Sequence, residues 1–260
     1  MDRDQILCRG VPAESQGSFA PLYGVGWEVL NPRRPYASRL SFAVSVSGSE
    51  HPSSLTKTVI YLPELDIPAL SKFNSKYNIT PDSIFDAAWA QTLSFFTGSP
   101  DVTYEYFVSN RDLEVDGIFD IVGPVMNLLA YHLRDVSTDH NPQGLATLAD
   151  KIQEQRLQDG GHTASNLREI LQDDLTMDLP FNTALNFRRP LDVQTETLKV
   201  YDHLKRSRDP WHFDVLVHTL HIMDDNIVRP SIEFDARLFG EERMREVANV
   251  FWSKVQIATA

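Results

Sequence analysis

Three groupings in this sequence have residue types and spacings that could do chemistry. HTLHIMDD places His218, His221 and Asp224 within seven positions, a set that could hold a metal ion. The adjacent carboxylates Asp173-Asp174 and Asp224-Asp225 could share a cation or a proton. HLKRSR at 203–208 could meet a phosphate or an acidic partner. Each weakens once it is placed on an element. The run Phe213–Ile222 alternates as a strand, so residues three apart face opposite ways. His218 then shares a face with Leu216, Leu220 and Ile222, and His221 shares the other with Val215 and Val217. Without a bulge the two imidazoles do not converge, and half-buried strand histidines are the simpler reading. The carboxylate pairs fall in expected turns, where solvated Asp is ordinary. HLKRSR is a short basic stretch in an acidic chain.

Other nucleophile and phosphate signatures are incomplete. Tyr23-Gly24-Val25-Gly26 lacks a third glycine and a following helix, and no serine sits in GxSxG. Asp159-Gly160-Gly161-His162 reads as a helix-ending turn. Cys8 is the single cysteine, which excludes an internal disulfide and a multi-thiolate metal site. The chain has 260 residues, 24 Lys+Arg and 36 Asp+Glu, for a formal charge of −12. That balance argues against a general nucleic-acid binder. The N-terminus has no apolar signal core and no apolar run is long enough for a membrane span, so the expectation is a soluble, cytoplasmic protein.

Residues 1–56, rich in Ser, Gly, Pro and charge, read as an irregular arm with one β-like stretch at Leu40–Val46. From 57 to 260 strands and helices alternate. Strands are expected at Val59–Leu62, Asp101–Ser109, Val125–Arg134, Thr183–Phe187, Thr197–Tyr201, Phe213–Ile222 and Ile227–Phe234, the last two as a hairpin across Asp224-Asp225-Asn226. Asp66 is expected to cap a helix carrying Ile67, Leu70, Phe73 and Tyr77. Thr80 and Pro81 open a second, with Ile84, Phe85, Ala88, Trp89, Leu93 and Phe96 on one face and Gly98 as the stop. Asn141 and Pro142 open a third that buries Leu145, Leu148, Ala149 and Ile152. A short helix is expected near Ser165–Gln172, and a last one from Glu241 buries Met244, Val247, Ala248, Phe251 and Val255. The expected fold class is α/β, a mixed sheet covered by helices.

Four segments in order resemble the C-terminal lobe of a condensation domain of nonribosomal peptide synthetases, of the fungal type. They are ITPDSIFDAAWAQTLSFFTGSPDVTYEYFVSNRD, GIFDIVGPVMNLLAYHLR, LPFNTALNFRRP and DPWHFDVLVHTLHIMDDNIVRPSIEFDARLFGEERM. The resemblance implies one of two chloramphenicol acetyltransferase-like lobes, with residues 1–56 as a possible inter-lobe remnant. It also implies acyl substrates delivered by carrier proteins on phosphopantetheine arms through a tunnel between lobes, with no other cofactor and no metal. By resemblance Gly123, Pro124 and Asn127 lie beside that tunnel, and Asn182 and Asn186 lie on the tunnel-side strand. Arg111 matches an arginine that the family pairs with the aspartate of HHxxxDG. Asn110 replaces the glycine before it. The chain has no adjacent His pair, so HHxxxDG is missing and no residue inherits the base.

Three readings follow from the resemblance. One is a truncated lobe that does not form peptide bonds alone and binds a complementary lobe or a carrier protein. Another is a repurposed cyclase or acyl-transfer enzyme of secondary-metabolite biosynthesis, with His132 and His162 as candidate acid–base groups. The third is a non-catalytic docking subunit of a synthetase. Whether the chain is itself an enzyme stays open at this stage. A lobe without its partner is also expected to expose an apolar interaction surface.

Overall fold

The computed structural model describes residues 39–40, 57–111, 113, 115–123, 125–160, 163, 181–188, 213–222 and 226–260. Among them, seven strands form one mixed sheet: β1 (Lys57–Tyr61), β2 (Leu65–Asp66), β3 (Val102–Ser109), β4 (Met126–Leu133), β5 (Thr183–Arg188), β6 (Val215–Ile222) and β7 (Ile227–Asp235). Their order is β1-β7-β6-β5-β3-β4, with β2 also on β7. β5 runs parallel to both β3 and β6, and the other pairs are antiparallel. The α-helices are α1 (Ile67–Tyr77), α2 (Pro81–Thr97), α3 (Pro142–Asp159) and α4 (Glu241–Gln256). This is the expected α/β lobe. The expected arm apart from residues 39–40, the helix near Ser165–Gln172 and the strand Thr197–Tyr201 lie outside the described residues. So do Asp173-Asp174, HLKRSR and Asp224-Asp225.

Local sequence accounts for the helix limits. Asn141 Oδ1 accepts from Gly144 N at 2.7 Å, and Pro142 occupies the first turn of α3, where no donor is missed. Gly98 adopts φ 68° and its N–H closes on Ser94 O, ending α2. The two caps expected at Asp66 and Thr80 differ in detail. Neither side chain bonds the helix backbone. Ile67 N–H reaches Asn226 O at 2.9 Å, so β2 pairing runs into α1, and Pro68 at the second helical position removes one of the two donors a capping Asp66 would take. Thr80 Oγ1 lies 2.9 Å from Ser83 Oγ, while its N–H donates to Gln153 of α3. Pro230 costs β7 one ladder bond, at the place where it matters least. Its carbonyl takes Leu62 N–H, and the reciprocal bond its missing N–H would make to Leu62 falls where β1 ends, before pairing resumes at Leu65.

The sheet has two unlike faces. Tyr104, Tyr106, Tyr131, Leu133, Leu185, Val215, Val217, Ile232 and Phe234 join buried residues of all four helices in the main core. Ala184 and Leu216 point the other way, where with Phe213, Phe107 and Leu128 they form a second cluster that includes no helical residue among the described residues, and this face is called helix-free in that sense. α2 departs from the one-sided helix expected. Every residue from Ser83 to Ser94 is buried, because the sheet, α3 and α4 enclose it. Trp89 meets Phe251 of α4 edge to face at 5.7 Å.

Burial of α2 leaves the Gln91 amide and Trp89 Nε1 without hydrogen-bond partners among the described residues, but its enclosed carboxyl, Asp86, finds one in Arg156 of α3. It pairs with Asp82, reaches Asp86 Oδ2 at 2.6 Å, donates to the Tyr131 hydroxyl at 2.8 Å and lies 5.3 Å from the Tyr106 ring centroid. Tyr106 and Tyr131 stack at 3.9 Å, and Tyr106 donates to Asp159. Tyr104 donates to the Asp86 carbonyl at 3.0 Å. Burial pushes the Asp86 carboxyl up to about 8, and the Tyr104 hydroxyl draws it partly back.

Arg156→Met leaves Asp86 buried without its cation, and a loss of about 3–5 kcal/mol is expected at pH 8. The folded pKa of Asp86 lies above its unfolded value. Without the cation that folded pKa can only rise above about 8, so the stability of this variant should be greatest below pH ~4 and fall as pH rises to about 8 and beyond. Urea denaturation across that window checks it, and adding Asp86→Asn should remove the slope.

Candidate functional site

Arg111, Gly123 and Asn127 come together where β3 ends and β4 begins. The Arg111 guanidinium donates to three backbone carbonyls: Ile118 at 3.1 Å, Ile121 at 3.2 Å and Gly123 at 2.9 Å. Asn127 Nδ2 donates to Thr163 O at 2.7 Å, and its Oδ1 accepts from Leu128 N. Asn110 Nδ2 donates to the same Thr163 carbonyl at 3.2 Å, while its Oδ1 is buried and finds no partner. Two amides from adjacent strands thus hold one carbonyl beyond the end of α3. The sequence marks Asn110 only as a lost glycine, and its pairing with Asn127 becomes visible only through the β3–β4 register. Pro124 and His162 lie outside the described residues.

The remaining site residues spread along the helix-free face. Asn186 stands opposite His218 in the β5–β6 register and is buried. His218 Nδ1 lies 2.6 Å from Arg188 Nη2, and its Nε2 lies 3.8 Å from Glu233 Oε2. Lys57 Nζ reaches Glu233 Oε1 at 2.6 Å. Lys57, Glu233, His218 and Arg188 form a polar row across four strands, which sequence reasoning missed. The hairpin alternation carried the signal, since it already puts His218 and Glu233 on one face. Arginine can only donate, so His218 Nδ1 accepts and Nε2 carries the proton. Burial, more than Arg188, lowers the His218 pKa below its ordinary value. Burial works against the Glu233 carboxylate, but His218 and Lys57 outweigh it and hold its pKa at about 2.

Asn182 is placed apart from Asn127. It lies at the start of β5, bonds Leu40 through N–H and C=O at 3.1 Å each, and donates to Asp214 at 2.7 Å. His132 is five residues along β4 from Asn127, about 17 Å at strand rise. Its Nδ1 pairs with Thr103 Oγ1 at 3.0 Å, and its Nε2 accepts from Arg134 at 3.3 Å. Burial and Arg134 lower its pKa. It borders a cavity of about 280 Å³ with Lys151 and Gln155. β6 pairs with β7 without a bulge from Val215 to Ile222, so His218 and His221 keep opposite faces. No group of three metal-ligating residues occurs among the described residues. No helix among them is long and apolar enough to cross a membrane.

No family model matches the chain. It is 33% identical over 183 residues to the nonribosomal peptide synthetase vlms of a Lecanicillium species, covering 67% of this chain and 2% of that protein. The chain therefore spans a small fraction of the length of the curated relatives it matches. Among solved structures it is similar to the condensation domain of the monacolin K polyketide synthase MokA. The TM-score is 0.68 at 14% identity, covering 95% of this chain and 58% of that one. The EpoB cyclization-docking bidomain of Sorangium cellulosum is also similar, with a TM-score of 0.59 at 13% identity over 82% of this chain and 44% of that one.

Two measurements test this geometry. Asn127→Ala alone leaves Thr163 O with Asn110 and should cost about 1 kcal/mol, whereas the double variant with Asn110→Ala should cost more than the two singles added. Chemical denaturation of the four proteins reads the coupling. The His218 ring, followed by NMR, should titrate below its unfolded value as the Nε2–H tautomer. Its contribution to stability is then complete above pH ~6.5 and is lost on acidification through the folded pKa.

Proposed function

We propose, from the premise that this chain is a condensation-domain C-terminal lobe related to fungal nonribosomal peptide synthetases, that it forms one wall of a substrate tunnel and takes its catalytic base from a first lobe. The observation that carries this reading is the two-faced sheet. Every described α-helix contributes to the core on one face, while the other holds a helix-free cluster and a polar row. The absence of an adjacent His pair from the sequence points the same way. In this reading residues 57–260 are the lobe and 1–56 lead into it. Arg111, Gly123, Pro124 and Asn127 form the tunnel end, and Asn186 lies along the wall. Asn182, joined to Leu40 and Asp214, supports the start of that strand.

The substrates are acyl groups tethered to carrier proteins by phosphopantetheine. Partners of synthetase type are supported by the EpoB neighbour, whose domain is joined to a docking domain. The enzyme reading that rests on His132 gains nothing specific, since its Nε2 lone pair faces Arg134.

The test supplies the purified chain with donor- and acceptor-loaded carrier proteins from a fungal synthetase. No peptide is expected from the chain alone. Product is expected when a first lobe carrying HHxxxDG is added, and not when its second histidine is changed to alanine. Peptide formation by the isolated chain would overturn the proposal.

A further inference from the structure

Five of the ten large apolar side chains exposed among the described residues fall between Val115 and Met126. Val122 is fully exposed and Phe119 is 70% exposed, with Val115, Ile121 and Met126 each near half. Such a concentration in twelve residues is not the scattered exposure of an ordinary surface. The loop that carries it is closed and braced. Asn110 N–H bonds Val125 O at its base, Ile118 N–H bonds Val115 O, and Asp120 N–H bonds Gly117 O. Gly117 and Gly123, at φ 76° and 145°, make the two bends that side chains resist. Ile118 is buried as the anchor, and Arg111 ties the carbonyls of residues 118, 121 and 123 to one planar cation.

We infer that Arg111 is a positioning residue that holds residues 117–123 as a preformed apolar knob, and that the knob seats in an apolar recess, edged by lysine or arginine, on a first lobe. This rests on the two-lobe reading and adds to it the contact element and the chemistry of its partner. Charge selects the occupant. Asp112, Glu114 and Asp116 precede the knob in the sequence and Asp120 lies within it, and no lysine or arginine occurs between residues 112 and 133. An acidic partner is repelled. A second copy of this chain, at −12, would set like charges against each other across a symmetry axis. Continuity points to a partner on the helix-free side, because Met126 and Leu128 lie on that face in register with Ser109 and Phe107. The MokA domain, of which this chain matches 58%, leaves room in the fold for such a second part. Bracing before contact spares the loop the entropy of ordering on binding, which is what a docking element requires.

The test titrates the chain onto an isolated first lobe of a fungal condensation domain by calorimetry. Phe119→Ser with Val122→Ser changes exposed side chains only, and should weaken binding about 100-fold without altering amide exchange in the loop. Arg111→Lys keeps the charge but loses the fork. It should speed amide exchange over residues 118–123 at least about 10-fold and weaken binding by a similar factor, with the Tm little changed. Affinity should fall as NaCl rises from 50 to 500 mM. If the natural chain binds but the double serine variant binds equally well, the knob is wrong and the two-lobe reading stands. Unchanged exchange in Arg111→Lys removes the positioning role, and salt-independent binding removes the basic rim. If the natural chain binds no first lobe, the two-lobe reading falls and the knob falls with it.

Discussion

A carboxyl taken out of water must be met by a cation, and Arg156, the partly buried cation that meets Asp86, is the point on which the layers of this lobe are aligned. Its carboxylate partners come from α2, its hydroxyl from β4 and its aromatic face from β3. Moving any one layer by a few ångströms would strand Asp86, which is wholly enclosed. The requirement is directional in a way that apolar packing is not. Leucine and phenylalanine in α2 could slide on the sheet at modest cost, whereas a charged fork engaging two carboxylates and a phenol fixes rotation and height together.

From that constraint the helix-free face follows. With Tyr104, Tyr106 and Tyr131 committed to Arg156 and Asp86 on the inside, the strand period of two sends Thr103, Glu105, Phe107, Leu128, Ala130 and His132 outward. A one-residue slip of β4 would bury His132 and expel Tyr131. The β3–β5 and β5–β6 registers carry the alternation across to Asn186 and His218. The candidate site is thus built from what the core does not use, and its arrangement is as precise as the core that excludes it.

Much of this was legible because local signals and tertiary structure agree. Asn141-Pro142, Pro81 and Gly98 mark helix limits through backbone geometry that is the same in any context. The β6–β7 hairpin and the outward His218 follow from alternation alone. Other features depend on residues far apart in sequence. Nothing near Arg156 announces that Asp86, seventy positions earlier, will be enclosed with it. α2 looks amphipathic because Ser83, Asp86, Gln91 and Thr92 are polar, yet all four are buried. Arg111 has carbonyls for partners, and carbonyls leave no mark in a sequence. Asn110 is hidden for a different reason, since its meaning lies in sharing an acceptor with a residue seventeen positions away.

The two histidines described on the helix-free face, His132 and His218, bear on where the chemistry must come from. A general base needs a lone pair free to take a proton and surroundings that welcome the resulting cation. His218 offers its lone pair to Arg188 and His132 offers its own to Arg134. Protonating either would press two cations together in a partly desolvated place, and burial already lowers both pKa values. Glu233 does not reverse this at His218, because Lys57 holds that carboxylate at 2.6 Å while the imidazole stands 3.8 Å away. Both imidazole lone pairs are already taken, and groups so committed resist the change of charge that catalysis asks of them. Under the proposed function such a wall orients an amide or an acyl chain. The proton of an attacking amine then has to leave through a residue that the described part of this face does not supply, which is the physical ground for expecting a base from a second lobe.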